Sequence, residues 1–117
     1  MPQCEYVGPS GNPCAHESQD RKTICIWHDK DAPKSDGDVR AHLEERAREF
    51  KSCEGYELFR VNLGDARILK LDLSHANLER ANFKDLHGWG VKLAGASLFK
   101  ANLENANLRE AVLTDAD

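Results

Sequence analysis

A five-residue rhythm runs through the second half of the chain, and neither an α-helix nor a β-strand has that period. Ala76-Asn77-Leu78-Glu79-Arg80 is followed by Ala81-Asn82-Phe83-Lys84-Asp85, and the same frame returns at Ala96-Ser97-Leu98, Ala101-Asn102-Leu103, Ala106-Asn107-Leu108 and Ala111-Val112-Leu113. It extends back through Leu71-Asp72-Leu73, Ala66-Arg67-Ile68 and Val61-Asn62-Leu63 to Tyr56-Glu57-Leu58. A coil that turns a corner every five residues fits this spacing. The large apolar residue and the small one two places before it then point inward, while the other three face water. Such a unit cannot bury its apolar face alone, so coils must stack. Gly88, Gly90, Gly95 and the many Asn residues argue against an amphipathic helix rich in Ala and Leu.

This A(D/N)LXX pattern over residues 56–117 resembles the pentapeptide-repeat family. The resemblance implies a mainly β fold, a right-handed quadrilateral β-helix with four pentads per coil. That places about three coils at 56–75, 76–95 and 96–115. One pentad departs from the pattern: in Leu86-His87-Gly88-Trp89-Gly90 the large and small positions are exchanged. Two readings follow, a volume swap that conserves packing or a bulge that presents Trp89. With four pentads per coil, outward residues twenty apart form columns. Arg60, Arg80 and Lys100 make a basic column, Phe59, Glu79 and Phe99 another, and Leu69, Trp89 and Arg109 a third. Asn62, Asn82 and Asn102 form a polar ladder. Leu69, Trp89, Phe59, Phe99, Arg60, Arg80 and Lys100 are the candidate partner-binding residues, since adjacent large apolar side chains on a surface suggest an interface.

Ahead of the repeat the composition changes twice. Residues 1–30 hold Cys4, Cys14, Cys25 and His28, and residues 31–37 form a polar, breaker-rich linker. Over 38–51 the apolar residues Val39, Leu43, Ala47 and Phe50 make one helical stripe, with Asp36 or Asp38 as N-cap. This helix is expected to cap the β-helix, whose first domain residue is 52. Cys4 and Cys14 flank Gly8-Pro9-Ser10-Gly11-Asn12-Pro13, a strong turn signal that brings them together. Cys25-Ile26-Trp27-His28 supplies a close-spaced pair of the kind zinc sites use. Three thiolates and one imidazole make a closed, structural Zn²⁺ site with no open catalytic position. The segment is also similar to zinc-binding N-terminal segments attached to some bacterial pentapeptide-repeat proteins. His16 is the rival ligand and is expected to face solvent. Cys53 falls in the repeat frame just before the first coil, as a buried thiol rather than a nucleophile.

Net charge is −4, which argues against a bulk electrostatic grip on nucleic acid. No apolar run is long enough to cross a bilayer and the N-terminus has no signal-peptide pattern, so a cytoplasmic chain with reduced thiols is expected. No catalytic constellation stands out. The leading expectation is a non-catalytic protein-interaction and assembly scaffold with a protein partner. One alternative is a DNA mimic that inhibits or protects a nucleic-acid enzyme such as gyrase, as the resemblance allows. Residues 51–117 carry 9 Lys and Arg against 10 Asp and Glu, near neutrality, which weighs against mimicry. Another is nucleic-acid binding through the zinc module by Arg21, Lys22 and Trp27. The frame breaks off after Ala116-Asp117, leaving Leu98, Leu103, Leu108 and Leu113 covered on one side. The expectation is continuation beyond Asp117 into more coils or another domain, or end-to-end self-association.

Overall fold

Each pentad ends in a corner, and the corner sets everything else. The fifth residue lies in the left-handed region: Arg60 (φ 61°), Asp65 (67°), Lys70 (59°) and His75 (60°) in one coil. Gly55, Gly90 and Gly95 fall in the same register, as do Arg80, Asp85, Lys100, Asn105, Glu110 and Asp115. The next residue's amide closes the corner, as in Val61 N to Leu58 O at 3.1 Å and Ala66 N to Leu63 O at 3.0 Å. Positive φ at the third residue only is the mark of a type II turn. A side chain in that conformation costs about 1–2 kcal/mol, so stacking must offset a strain that recurs at every non-glycine corner.

The computed structural model describes residues 3–9, 11, 14, 16, 18–19 and 25–117. Ser10, Asn12 and Pro13 of the predicted turn, and the Arg21-Lys22 pair, lie outside the described residues. Parallel bridges join residues twenty apart: Glu57 to Asn77 to Ser97, Asn62 to Asn82 to Asn102, Arg67 to His87 to Asn107, and Asp72 to Lys92 to Val112. Four pentads therefore make one coil, and coils stack in register. The bridges are isolated rather than joined into long strands, because each side of the coil has one bridging residue before the next corner begins.

From Asn77 to Ala81 every backbone amide is accounted for. In the second coil the Asn77 amide donates to Tyr56 O (2.8 Å), Leu78 to Ser97 O (2.8 Å) and Arg80 to Phe99 O (2.8 Å), while Ala81 closes the corner on Leu78 O (3.1 Å). The remaining amide, that of Glu79, donates to Asn77 Oδ1 at 3.2 Å. Asn or Asp at the second position recurs for this reason: Asn62, Asp72, Asn82, Asn102 and Asn107 each accept the amide two residues on. Asn82 also donates through Nδ2 to Asn62 Oδ1 at 3.1 Å. Replacing Asn82 with Ala removes both bonds, and the expected cost is about 1–2 kcal/mol, read as a drop in the thermal midpoint.

Leu58, Leu63, Ile68 and Leu73 fill the first coil, with Leu78, Phe83 and Leu93 above them. The exchanged pentad keeps this packing. Leu86 is buried, and a Cβ on Gly88 would meet Leu86 Cδ2 at 3.0 Å, so the leucine occupies the volume the glycine vacates. Register is unbroken, since His87 bridges both Arg67 and Asn107. The volume swap therefore describes this corner, and no bulge forms.

Among the described residues one α-helix, α1, spans Asp36–Arg48, rather than 38–51. Ser35 is its N-cap, accepting from the Asp38 amide, while Asp36 and Asp38 sit in the first turn, where they favour the helix dipole. Val39, Leu43 and Ala47 are buried on the core; Phe50 lies beyond the helix and is exposed. The flanks of α1 satisfy the edge of the first coil. Asp36 Oδ1 accepts from the Asn62 amide (3.0 Å), Glu44 Oε2 from the Arg67 amide (2.9 Å), and Arg40 Nη1 donates to Gly64 O (2.8 Å). At the other end Leu103 and Leu113 are 38% and 46% exposed, while Leu98 and Leu108 are partly buried against the core. Among the described residues no helix is long and apolar enough to cross a membrane.

Candidate metal centre

The two halves of the cysteine set come from different local structures. A turn closed by Gly11 N to Gly8 O (2.9 Å), with Gly11 at φ 84°, folds the chain back on itself. Cys14 N then donates to Tyr6 O (3.1 Å) and Cys4 N to His16 O (2.8 Å), which sets Cys4 beside Cys14. The second pair lies on a short 3₁₀ helix, Ile26–His28, in which His28 N donates to Cys25 O at 3.2 Å. One such turn brings Cys25 Sγ to 3.3 Å from His28 Nδ1.

Cys4, Cys14, Cys25 and His28 thus converge, with all four ligand atoms within 4.8 Å of one another. Cys14 and Cys25 sulfurs are 3.8 Å apart, and Cys4 Sγ lies 3.7 Å from His28 Nδ1. The four could hold a metal ion. His28 Nε2 donates to Glu54 O at 2.8 Å, which leaves the Nδ1 lone pair facing the thiols. Burial pushes the Cys25 thiol up to about 12 and raises Cys14. Burial also acts to raise Cys4, but hydrogen bonds from the Tyr6 and Cys25 backbone and from the Cys25 and Cys14 side chains outweigh it and lower the thiol. Burial holds His28 below its ordinary value, so its ring is neutral and available as a ligand.

Aromatic rings lock this centre to the coil. Tyr6 stacks on His28 with centroids 3.8 Å apart, and Trp27 stacks on His42 of α1 at 3.9 Å. Tyr56, the first inward residue of the repeat, lies against Trp27 and hydrogen-bonds His42 Nε2 at 3.0 Å. The Glu57 amide donates to Trp27 O at 2.7 Å, so the 3₁₀ helix also covers part of the coil's edge. His16 is not turned to solvent. It is half-buried, against His42 and Tyr56, with Nδ1 3.3 Å from Cys14 Sγ. Its sequence neighbours gave no sign of this, because the contact depends on where α1 docks. Cys53 is fully buried, and burial pushes its thiol up to about 11, which leaves it protonated and unreactive at neutral pH.

The outward candidates separate into two groups. Phe59 and Arg60 share one corner, and the amide bonds Arg60 N to Glu79 O and Arg80 N to Phe99 O stack Arg80, Phe99 and Lys100 above it. Arg60 and Lys100 each lie over the neighbouring phenylalanine ring, at 5.2 and 5.4 Å. Leu69 and Trp89 stand two pentads further round the coil, so the two groups do not form one surface. Phe50 lines the same groove as Leu69 and Trp89. Sequence periodicity had assigned it to the buried stripe of the helix.

The sequence model described as pentapeptide repeats matches residues 57–86 and 90–117, in 8 copies. The match breaks within the pentad where Leu86 and Gly88 are exchanged. No curated protein matches the chain.

Proposed function

We propose that this chain, whose second half is made of pentapeptide repeats, is a non-catalytic protein-interaction scaffold. In this reading a zinc-locked N-terminal module and a helix close one end of a right-handed quadrilateral β-helix. The observation that carries it is the closed set of Cys4, Cys14, Cys25 and His28. A tetrahedral Zn²⁺ with sulfur bonds of about 2.3 Å has ligand–ligand edges of roughly 3.8 Å. The Cys14–Cys25 and Cys4–His28 separations of 3.8 and 3.7 Å fit that figure. Four protein ligands leave no position for a reacting water, so the metal is structural. The His28 bond to Glu54 ties the metal directly to the first coil. Pentapeptide-repeat proteins are commonly non-catalytic interaction proteins, and reduced thiols suit the cytoplasm. Neither DNA mimicry nor nucleic-acid binding has a comparable observation behind it.

Elemental analysis tests the reading. Protein purified without chelator is expected to carry one zinc per chain, and Cys25→Ser well below one. Protein that carries no stoichiometric metal, or a Cys25→Ser variant that keeps it, overturns the assignment.

A further inference from the structure

Helix α1 ends in a Schellman motif with phenylalanine at the position glycine favours. Phe50 N donates to Ala47 O (3.2 Å) and Lys51 N to Arg46 O (2.9 Å), with Phe50 at φ 56°. A side chain there costs about 1–2 kcal/mol. Burial returns little of that, because Phe50 is 84% exposed. A strained, solvent-facing aromatic ring at the rim of a groove marks a place where something else completes the packing.

Two depressions meet beneath the ring. One, of about 440 Å³, has Ala47, Leu69 and Trp89 among its lining residues; the other, of about 540 Å³, shares Phe50, Lys70 and Trp89 with it and runs on to Val112. Leu69 is 44% exposed, and Lys70 Nζ sits 5.2 Å from the centroid of the Trp89 ring. Five cationic residues line the pair (Arg48, Lys51, Arg67, Lys70 and Lys92) against two acids, Asp72 and Glu110. The chain as a whole is at −4, so this face carries the opposite sign to the chain's net charge.

We propose that this groove binds an acidic peptide segment of a partner protein. A large apolar side chain of the segment seats among Phe50, Leu69 and Trp89, and its carboxylates face Arg48, Arg67, Lys70 and Lys92. The proposal rests on the scaffold reading above and gives the chemistry of the partner. A peptide fits better than a nucleic acid for three reasons. Leu69 and Val112 offer exposed aliphatic contacts that bases do not need. Lys70 already covers a face of Trp89, which base stacking would require. Asp72 and Glu110 interrupt the basic run that a phosphate backbone would track.

Phe50→Gly is the informative substitution, because glycine suits the helix end and the variant is expected to melt at or above the parent. A phage-displayed random-peptide library is panned against the intact, metal-loaded chain. Enriched peptides are expected to combine Asp or Glu with a large apolar residue and to weaken as salt rises. Their affinity is expected to fall ~30-fold or more in Phe50→Gly, the scale of an interface hot spot, and in Lys70→Glu. Zinc content is expected to stay unchanged in both. Peptides that bind Phe50→Gly undiminished but are lost in Arg60→Glu overturn the groove while leaving the scaffold reading standing. Failure to enrich any peptide overturns the groove and leaves the scaffold reading to the metal analysis. Oligothymidylate or single-stranded RNA binding that Phe50→Gly abolishes, in place of peptide binding, also overturns the proposal.

Discussion

Chelation of the metal is expected to dismantle the N-terminal module around Cys4, Cys14, Cys25 and His28 while leaving the coils standing. A segment of this size has too little core to fold unaided, and structural zinc in small modules contributes on the order of 10 kcal/mol of folding free energy. The site's ligands are drawn from a hairpin and a 3₁₀ turn with few buried apolar residues of their own. Cys4 and Cys25 are the buried apolar side chains among the described residues there, and both belong to the cluster that could hold the metal. Without the metal, buried thiols held as high as about 12 at Cys25 revert to protonated, weakly bonded groups. Binding must therefore release protons, and metal affinity should weaken as pH falls. Trp27 is the natural reporter, because it packs against His42 and Tyr56 and is expected to do so only while the module is docked. Its emission should shift to longer wavelength on chelation and recover when zinc is restored. Limited proteolysis should open sites within the described stretches 3–9 and 25–30 and spare 51–117. Unchanged emission and an unchanged digest after complete metal removal would mean that the four residues do not staple the module.

The repeat was readable because its signal is redundant. Most pentads repeat the same small, polar, large order, and the four pentads per coil that the resemblance implied match the bridges twenty residues apart. The pattern also holds more than periodicity revealed: Asn at the second position proves to be a hydrogen-bond acceptor for the amide two residues on, as Asn77 is for Glu79. That Cys4, Cys14, Cys25 and His28 cluster was legible for another reason. Cys25 and His28 are close in sequence, and a strong turn lies between Cys4 and Cys14. Phe50 was misread because it continues the spacing of Val39, Leu43 and Ala47. Only the helix end at Arg48 and the left-handed backbone at Phe50 turn it outward. His16 was misplaced and His42 missed because their environment is made by docking. His42 is held down to about 4 by burial, then by His16 and Arg46, none of which is local to it except Arg46. Contacts between elements that are distant in sequence leave no pattern in a single chain.

Leu43→Asp is expected to abolish the cooperative thermal transition and drive the protein into aggregates. Leu43 is 0% exposed and lies between Val39 and Ala47 on the buried face of α1. Truncating a leucine in such a place costs about 2–5 kcal/mol, and a buried, unpaired carboxylate costs more. A domain of this size has about 5–15 kcal/mol in total. The damage would not stop at the helix. With α1 displaced, the Asn62 and Arg67 amides lose Asp36 and Glu44, and the Gly64 carbonyl loses Arg40. The first coil would then present open backbone and the side chains beneath it, which is how unprotected β edges associate. Leu43→Ala separates the two contributions, since it should keep the monomer and the caps while lowering the melting temperature. Ala41→Asp, on the exposed face of the same helix, should melt within a degree or two of the parent. Light scattering and calorimetry on the three variants give the answer, and a monomeric Leu43→Asp protein with a normal transition would show that the coils close without α1.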